Sequence, residues 1–326
     1  MANIKEIARM AGVSVTTVSR VLNNHPYVSE VKRTAVLNTI KKLNYTRNMN
    51  AVHLITGRTQ AIAVIIPYTN LFYFSVIIAG LAQEALMAQY RLVLCQTDYR
   101  TEEEIKVLEM LRNKEIDGVV MVSSTMSSEA IEEYTAYGPI VVCQDRGERQ
   151  FSSVYIEHYS AFRSGLQYLN DKGYRHIGYC EGRPHGSSSS IRQIAFRDFL
   201  EATDQPYNDE WMIYNCLTEE DGARVLHQLL QMKNRPDALI ISAGDHIAAG
   251  LIIEAWKKGV RIPEDLAVIG FDDQPIGRTL GLTTVDNQLT EMGISAFRII
   301  YDQIQRNDGQ PVHRKLEYRI IERNTV

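Results

Sequence analysis

Apolar residues near the start of the chain recur at the spacing of one helix face. Ile4, Ile7, Ala8 and Ala11 predict a first helix, which Gly12-Val13 interrupts. Ser14 is a good N-cap for a second helix with Val18, Val21 and Leu22 on its inner side. Asn23-Asn24-His25-Pro26 ends that helix, and Ser29 is expected to cap a third, carrying Ala35, Val36, Ile40 and Leu43 inward. From Ala61 the pattern changes. Apolar, β-branched runs (61–66, 91–95, 118–122, 140–143, 176–179, 238–242 and 267–271) alternate with amphipathic stretches at 102–114, 159–172, 219–231 and 245–259. Strands without polar alternation, separated by helices, predict parallel sheets covered on both faces. The repeats exceed one ordinary sheet, so two similar doubly wound lobes with a cleft between them are expected.

Charge separates the same two regions. Residues 1–60 hold nine Lys/Arg against Glu6 and Glu30, a balance of +7, so the whole-chain −4 leaves −11 for residues 61–326. A basic head on an acidic body fits a polyanion-binding module joined to something else. No apolar stretch approaches the ~20 residues that span a bilayer, and MANIKEIARM goes straight into amphipathic helix, so an intracellular, cytoplasmic and nucleoid-associated setting is expected. Cys95, Cys143, Cys180 and Cys216 form no CxxC pair and read as structural thiols.

Helix, Gly-containing turn, helix is the plan by which a second helix presents its N-terminal side chains to the DNA major groove. With Val18 and Val21 inward, Val15, Thr16, Ser19 and Arg20 face outward. Arg20 suits guanine, Val15 a thymine methyl, and hydroxyls near Ser14 suit phosphate oxygens. A plain three-helix packing domain with a solvated basic face is the alternative that these residues leave open. Beyond the head, ligands of doubly wound sheets lie past the carboxyl ends of strands. That draws attention to Asp145-Arg146, Ser242 to Asp245 and Asp272-Asp273, and to Phe72-Tyr73-Phe74 at the first helix of the body. Carboxylates and an arginine ordering hydroxyls, with aromatics against a ring, would make a sugar site, although Asp245 and Asp272 taken singly read as caps. Catalysis is not expected: GxSxG, GxGxxG and phosphate-loop motifs are missing, and the eight His lack metal-ligand spacing. Neither a metal nor a cofactor is expected.

Several motifs together resemble the LacI/GalR family of bacterial repressors: Ile4-Lys5-Glu6-Ile7-Ala8, Ala11-Gly12-Val13-Ser14, Thr17 to Asn23, Leu43-Asn44-Tyr45, Gly57-Arg58-Thr59, Ile269 to Asp273, Leu282 to Val285 and Met292-Gly293. The resemblance implies a homodimer on a near-palindromic operator, and the lack of a heptad tail after Arg323 argues for a dimer over a tetramer. It divides the chain into a headpiece at 1–46, a hinge at 47–59 and a core at 60–326. The N-lobe is expected at 60–157 and 290–318, the C-lobe at 158–289 and 319–326. DNA contacts are expected from Ser14, Val15, Thr16, Thr17, Ser19, Arg20, Asn23, Asn48 and Leu54, the last as a minor-groove wedge that packing on the body would equally explain. The implied effector residues are Asp272 and Arg192, Phe72 or Tyr73 and Asn287, joined by the strand-end Asp145 and Asp245. A carbohydrate or sugar phosphate is the leading effector class, a nucleobase or nucleoside the second. A global catabolite regulator switched by a phosphocarrier protein and a sugar-binding transport protein are the rival functions.

The sequence also departs from the family. Arg47 precedes Asn48 where Pro is usual, and Val52-His53 stands where Arg often follows the hinge alanine. Gly244 replaces a frequent Asn, Leu217 a stacking aromatic, and Glu157-His158 an Asp-Asn pair.

Overall fold

The computed structural model describes residues 3–46, 57–306 and 309–326. The chain divides into two units, residues 1–58 and 59–326.

In the first unit, α1 (Ile4–Ala11), α2 (Val15–Leu22) and α3 (Glu30–Lys42) close around Ile7, Ala8, Val18, Val21 and Val36. Burying a Val or Ile side chain contributes about 1.5–3 kcal/mol, so these few residues supply most of the drive to assemble such a small module. Gly12 ends α1 in the left-handed conformation at φ 67°. Ser14 caps α2 as expected, its Oγ accepting from Thr17 N at 3.1 Å. Ser29 stands at the N-cap position of α3, but its side chain makes no capping bond. Arg33 does that anchoring instead, donating to Asn24 Oδ1 at 3.0 Å and His25 O at 2.7 Å.

The second unit contains two six-stranded sheets. One runs β2 (Arg91–Gln96), β1 (Ala61–Ile66), β3 (Gly118–Met121), β4 (Ile140–Val142), β5 (Ser152–Tyr155), β11 (His313–Lys315), all parallel. The other runs β7 (Met212–Ile213), β6 (Ile177–Cys180), β8 (Ala238–Ile241), β9 (Ala267–Phe271), β10 (Thr283–Asp286), β12 (Arg319–Ile321), with only β12 antiparallel. Each sheet starts in the doubly wound order 2-1-3-4-5, whose switch point lies beside its first strand. Fully buried strands such as β1 explain the unbroken apolar runs.

The helices of the first lobe are α4 (Phe72–Met87), α5 (Thr101–Arg112), α6 (Ser128–Glu132) and α12 (Leu289–Arg306). Those of the second are α7 (His158–Asp171), α8 (Ser187–Ala202), α9 (Glu219–Gln231), α10 (Asp245–Lys258) and α11 (Pro275–Thr279). α4 and α12 touch backbone to backbone: a Cβ on Gly293 would lie 2.1 Å from Ile77 O, and one on Gly80 2.3 Å from Thr290 O. Three segments pass between the sheets, after β5, between β10 and α12, and between β11 and β12. Leu289 belongs to the core of the first lobe, one residue earlier than the expected boundary. Among the described residues, no helix is long and apolar enough to cross a membrane.

Candidate functional site: a DNA-reading helix and a polar cleft

Within the first unit, Val15 (41% exposed), Thr16 and Arg20 are exposed on α2, and Ser19 is half-buried beside them. Ser14 and Thr17 are tied to each other, their hydroxyls 2.9 Å apart, so both serve the cap before they serve any ligand. Asn23 Nδ2 reaches back to Ser19 Oγ at 3.5 Å. Tyr27, in the loop before α3, and Val31, in its first turn, are also exposed apolar residues of this unit, at 84% and 81%. Asn48 and Leu54 lie outside the described residues.

The second candidate site lies past the carboxyl ends of the strands in the second unit. Asp272 follows β9 directly and is buried, accepting from Asn287 Nδ2 at 2.7 Å. Burial pushes its carboxyl up from 3.8 to about 6, although Asn287 and Arg192 oppose the shift. Asp272 and Asp273 both have positive φ, 94° and 46°. Two such residues in sequence store backbone strain, of order 1–3 kcal/mol each, which persists only where the surroundings hold it. Asp273 faces the other way and binds Arg323 Nη2 at 2.6 Å. Arg192, on the second turn of α8, stacks over Phe271 with its Cζ 5.7 Å from the ring centre.

Arg192 has a partner that strand-end reasoning passed over. Glu181, the first residue after β6, is 1% exposed and accepts from Arg192 Nη2 at 3.1 Å and Nε at 3.4 Å. The same carboxylate accepts from Tyr179 OH and from Gly182 N at 3.0 Å, while Ser242 Oγ lies 3.2 Å from the Tyr179 hydroxyl. Glu181 sits at the switch point of its sheet, and that position is the signal that could have found it.

His158, noted in the sequence only as a departure, also belongs here. Burial and the nearby Arg192 charge lower its pKa to about 3, so the ring is neutral. Its Nδ1, Asn287 Oδ1 and Gln274 Nε2 are buried without a hydrogen-bond partner among the described residues. Buried polar atoms are normally satisfied, so three unmet groups mark a surface shaped for polar contact. Tyr73 is half-buried, its hydroxyl pushed up by burial and by Asp272.

The lobes meet across this cleft. Phe72 contacts the His246 ring at 5.6 Å, Gln144 Nε2 donates to Ser187 Oγ at 3.3 Å, and Arg183 lies 3.4 Å over the Tyr99 ring. Asp98 and Tyr99 carry positive φ of 53° and 58°, which turns Tyr99 toward that contact.

Two sequence-selected acids stand apart. Asp245 is 0% exposed, accepting from Gln274 N at 2.7 Å and Thr284 Oγ1 at 2.8 Å; these bonds tie α10 to the β9 and β10 ends. Asp145 is exposed and accepts from Gly147 N at 3.1 Å in a turn. The Gly244 departure has a steric reason. Its φ is 118°, and a Cβ there would sit 2.9 Å from both Gln274 Nε2 and His246 Nδ1.

Residues 3–48 match the family described as bacterial regulatory proteins, lacI family, and residues 166–326 match the periplasmic binding protein-like domain. The uncharacterised HTH-type transcriptional regulator YkvZ of Bacillus subtilis (strain 168) is 43% identical over 327 residues, with 100% of each chain covered. The chain belongs to the LacI family. Its fold agrees: a LacI-family transcriptional regulator from Silicibacter pomeroyi superposes with TM-score 0.84 at 27% identity, covering 100% of this chain and 99% of the other. A LacI-family regulator from Lactobacillus casei with bound sucrose gives TM-score 0.74 at 26% identity, covering 82% and 99%. This LacI-family member is therefore a DNA-binding transcriptional regulator with an effector-binding core.

Proposed function

We propose that the chain is a homodimeric repressor, not an enzyme, acting in the cytoplasm on the nucleoid. α2 reads each half of a near-palindromic operator, and a carbohydrate held between the core lobes sets the affinity. The observation that carries the effector reading is the clustering of Arg192, Asp272, Asn287 and His158, the last two each with a buried polar atom that has no partner among the described residues. A polyhydroxylated ring supplies donors and acceptors in that density, and the sucrose-bound Lactobacillus casei relative supports the class. Exposed apolar side chains support self-association: Leu86 and Met87 at the end of α4 are 72% and 65% exposed, and Leu94 on the edge strand β2 is 47% exposed.

Binding of fluorescent genomic duplexes tests the reading. Specific affinity is expected to fall by orders of magnitude between about 50 and 200 mM salt, and a flat salt profile overturns DNA recognition by the basic head. Sugars are then titrated against the parent and Arg192→Ala. Loss of the sugar response with DNA affinity intact is expected, and a normal response in the variant removes the cleft from the switch.

A further inference from the structure

The cleft reading leaves the charge of the ligand open, and the pairing of Arg192 constrains it. An arginine that recognises a phosphate or carboxylate offers an unbalanced positive charge and two parallel N–H groups, along the Nε–Nη2 edge or the Nη1–Nη2 end of the guanidinium. In this chain the Nε–Nη2 edge already faces both carboxylate oxygens of Glu181. Tyr179 OH and Gly182 N also donate to that carboxylate, and both partners of the ion pair are nearly out of solvent. A buried pair of this kind breaks only at the cost of an uncompensated buried charge.

Other cations near the cleft are committed as well. Arg146 donates to the carbonyls of Ser124 and Met126 at 3.0 and 3.1 Å, and Arg183 is stacked on Tyr99. Around the ligand space, Arg192 is balanced by Glu181, Asp272 adds a carboxylate, and His158 brings no charge. An anion approaching Arg192 itself would meet a group of four residues without net positive charge.

We propose that Glu181 is a specificity-determining residue: by neutralising Arg192 and occupying its Nε–Nη2 edge it disfavours ligands bearing phosphate or carboxylate, so the effector is a polyol without anionic groups. The proposal rests on the reading of this cleft as the effector site. The remaining Nη1 group of Arg192, Asp272, and the free atoms of His158, Asn287 and Gln274 then bind hydroxyls, singly and in both hydrogen-bonding senses.

Calorimetric titration of the full-length protein tests this with inorganic phosphate, with sugars, and with their phosphate esters. In the parent, each ester is expected to bind at least about tenfold more weakly than its free sugar, since a like charge placed beside a buried carboxylate is strongly disfavoured. An ester that binds more tightly than its sugar, or no binding of any polyol, overturns the proposal without recourse to a variant. In Glu181→Gln, checked for folding by circular dichroism, affinity for phosphate and for the esters is expected to rise at least about tenfold. Adding Arg192→Ala should abolish that gain. If free sugars bind through Arg192 yet Glu181→Gln leaves phosphate affinity unchanged, the role of Glu181 falls and the cleft reading stands. If Arg192→Ala alone leaves sugar binding intact, the cleft reading falls first.

Discussion

Asp272→Asn is expected to make the protein more stable while depriving it of its ligand response. The buried carboxyl is shifted from 3.8 to about 6, which corresponds to about 3 kcal/mol of penalty for holding it ionised in the folded state. The shift is upward, so the folded protein binds the proton more tightly than the unfolded chain. The penalty is fully present above about pH 6 and is relieved as pH falls toward 3.8. Asparagine has the same shape and an oxygen that still accepts from Asn287 Nδ2, so it removes the penalty without opening a cavity. Urea unfolding near pH 8 should show a gain of about 1–3 kcal/mol at unchanged m-value, shrinking to nothing below about pH 4. Calorimetry on the same protein should show no binding of the sugar that the parent recognises. A variant less stable than the parent near pH 8, or a gain independent of pH, refutes the reasoning, because either result means that Asp272 is not a buried, ligand-directed charge.

Arg20→Ala should weaken binding to the specific duplex by about 1–3 kcal/mol and relax preference at one base position; equal loss on random DNA, measured by anisotropy, would assign Arg20 to phosphate. Leu94→Glu places a charge on the exposed face of the edge strand β2, and sedimentation should show monomers that no longer bind the two-half-site operator. A Leu94→Glu dimer with full operator affinity would move the subunit interface elsewhere.

The headpiece was almost wholly legible because its physics is local. A cap at Ser14, a glycine stop at Gly12 and a single apolar stripe per helix each act within a few residues. Ser29 shows where local logic stops, since Arg33 reaches back across the loop and takes over the anchoring. In the core, the apolar strands announced themselves, whereas β5 (SSVY), β10 (TTVD) and β11 (HRK) are short and carry polar residues. What places them in a sheet is pairing with distant segments, as between His313 and Ser153. α8 opens on four consecutive serines, Ser187–Ser190, which carry no apolar stripe to announce the helical first turn that they form. For the cleft, position after a strand selected Asp272, Asp245 and Asp145 alike, and the structure sets them in three different surroundings. The three differ in which way the side chain turns, and that is set by packing partners such as Thr284 and Gln274 rather than by the residue itself. Glu181 also follows a strand directly, at the switch point, but only the folded chain shows its pairing with Arg192 eleven positions away.

The three crossings between the sheets are also joined to one another. Gln288 Nε2 donates to Glu317 O at 2.7 Å, and Lys315 Nζ reaches Glu157 Oε2 at 3.4 Å. Crossings tied side by side are expected to favour bending over sliding, so the two halves of the core would close like the blades of scissors about their rivet. Occupancy of the cleft would then be read as a change in one angle within the core. Substitutions that alter the response should therefore cluster at the rivet and along the blades' facing edges, with no wire of side chains running between them.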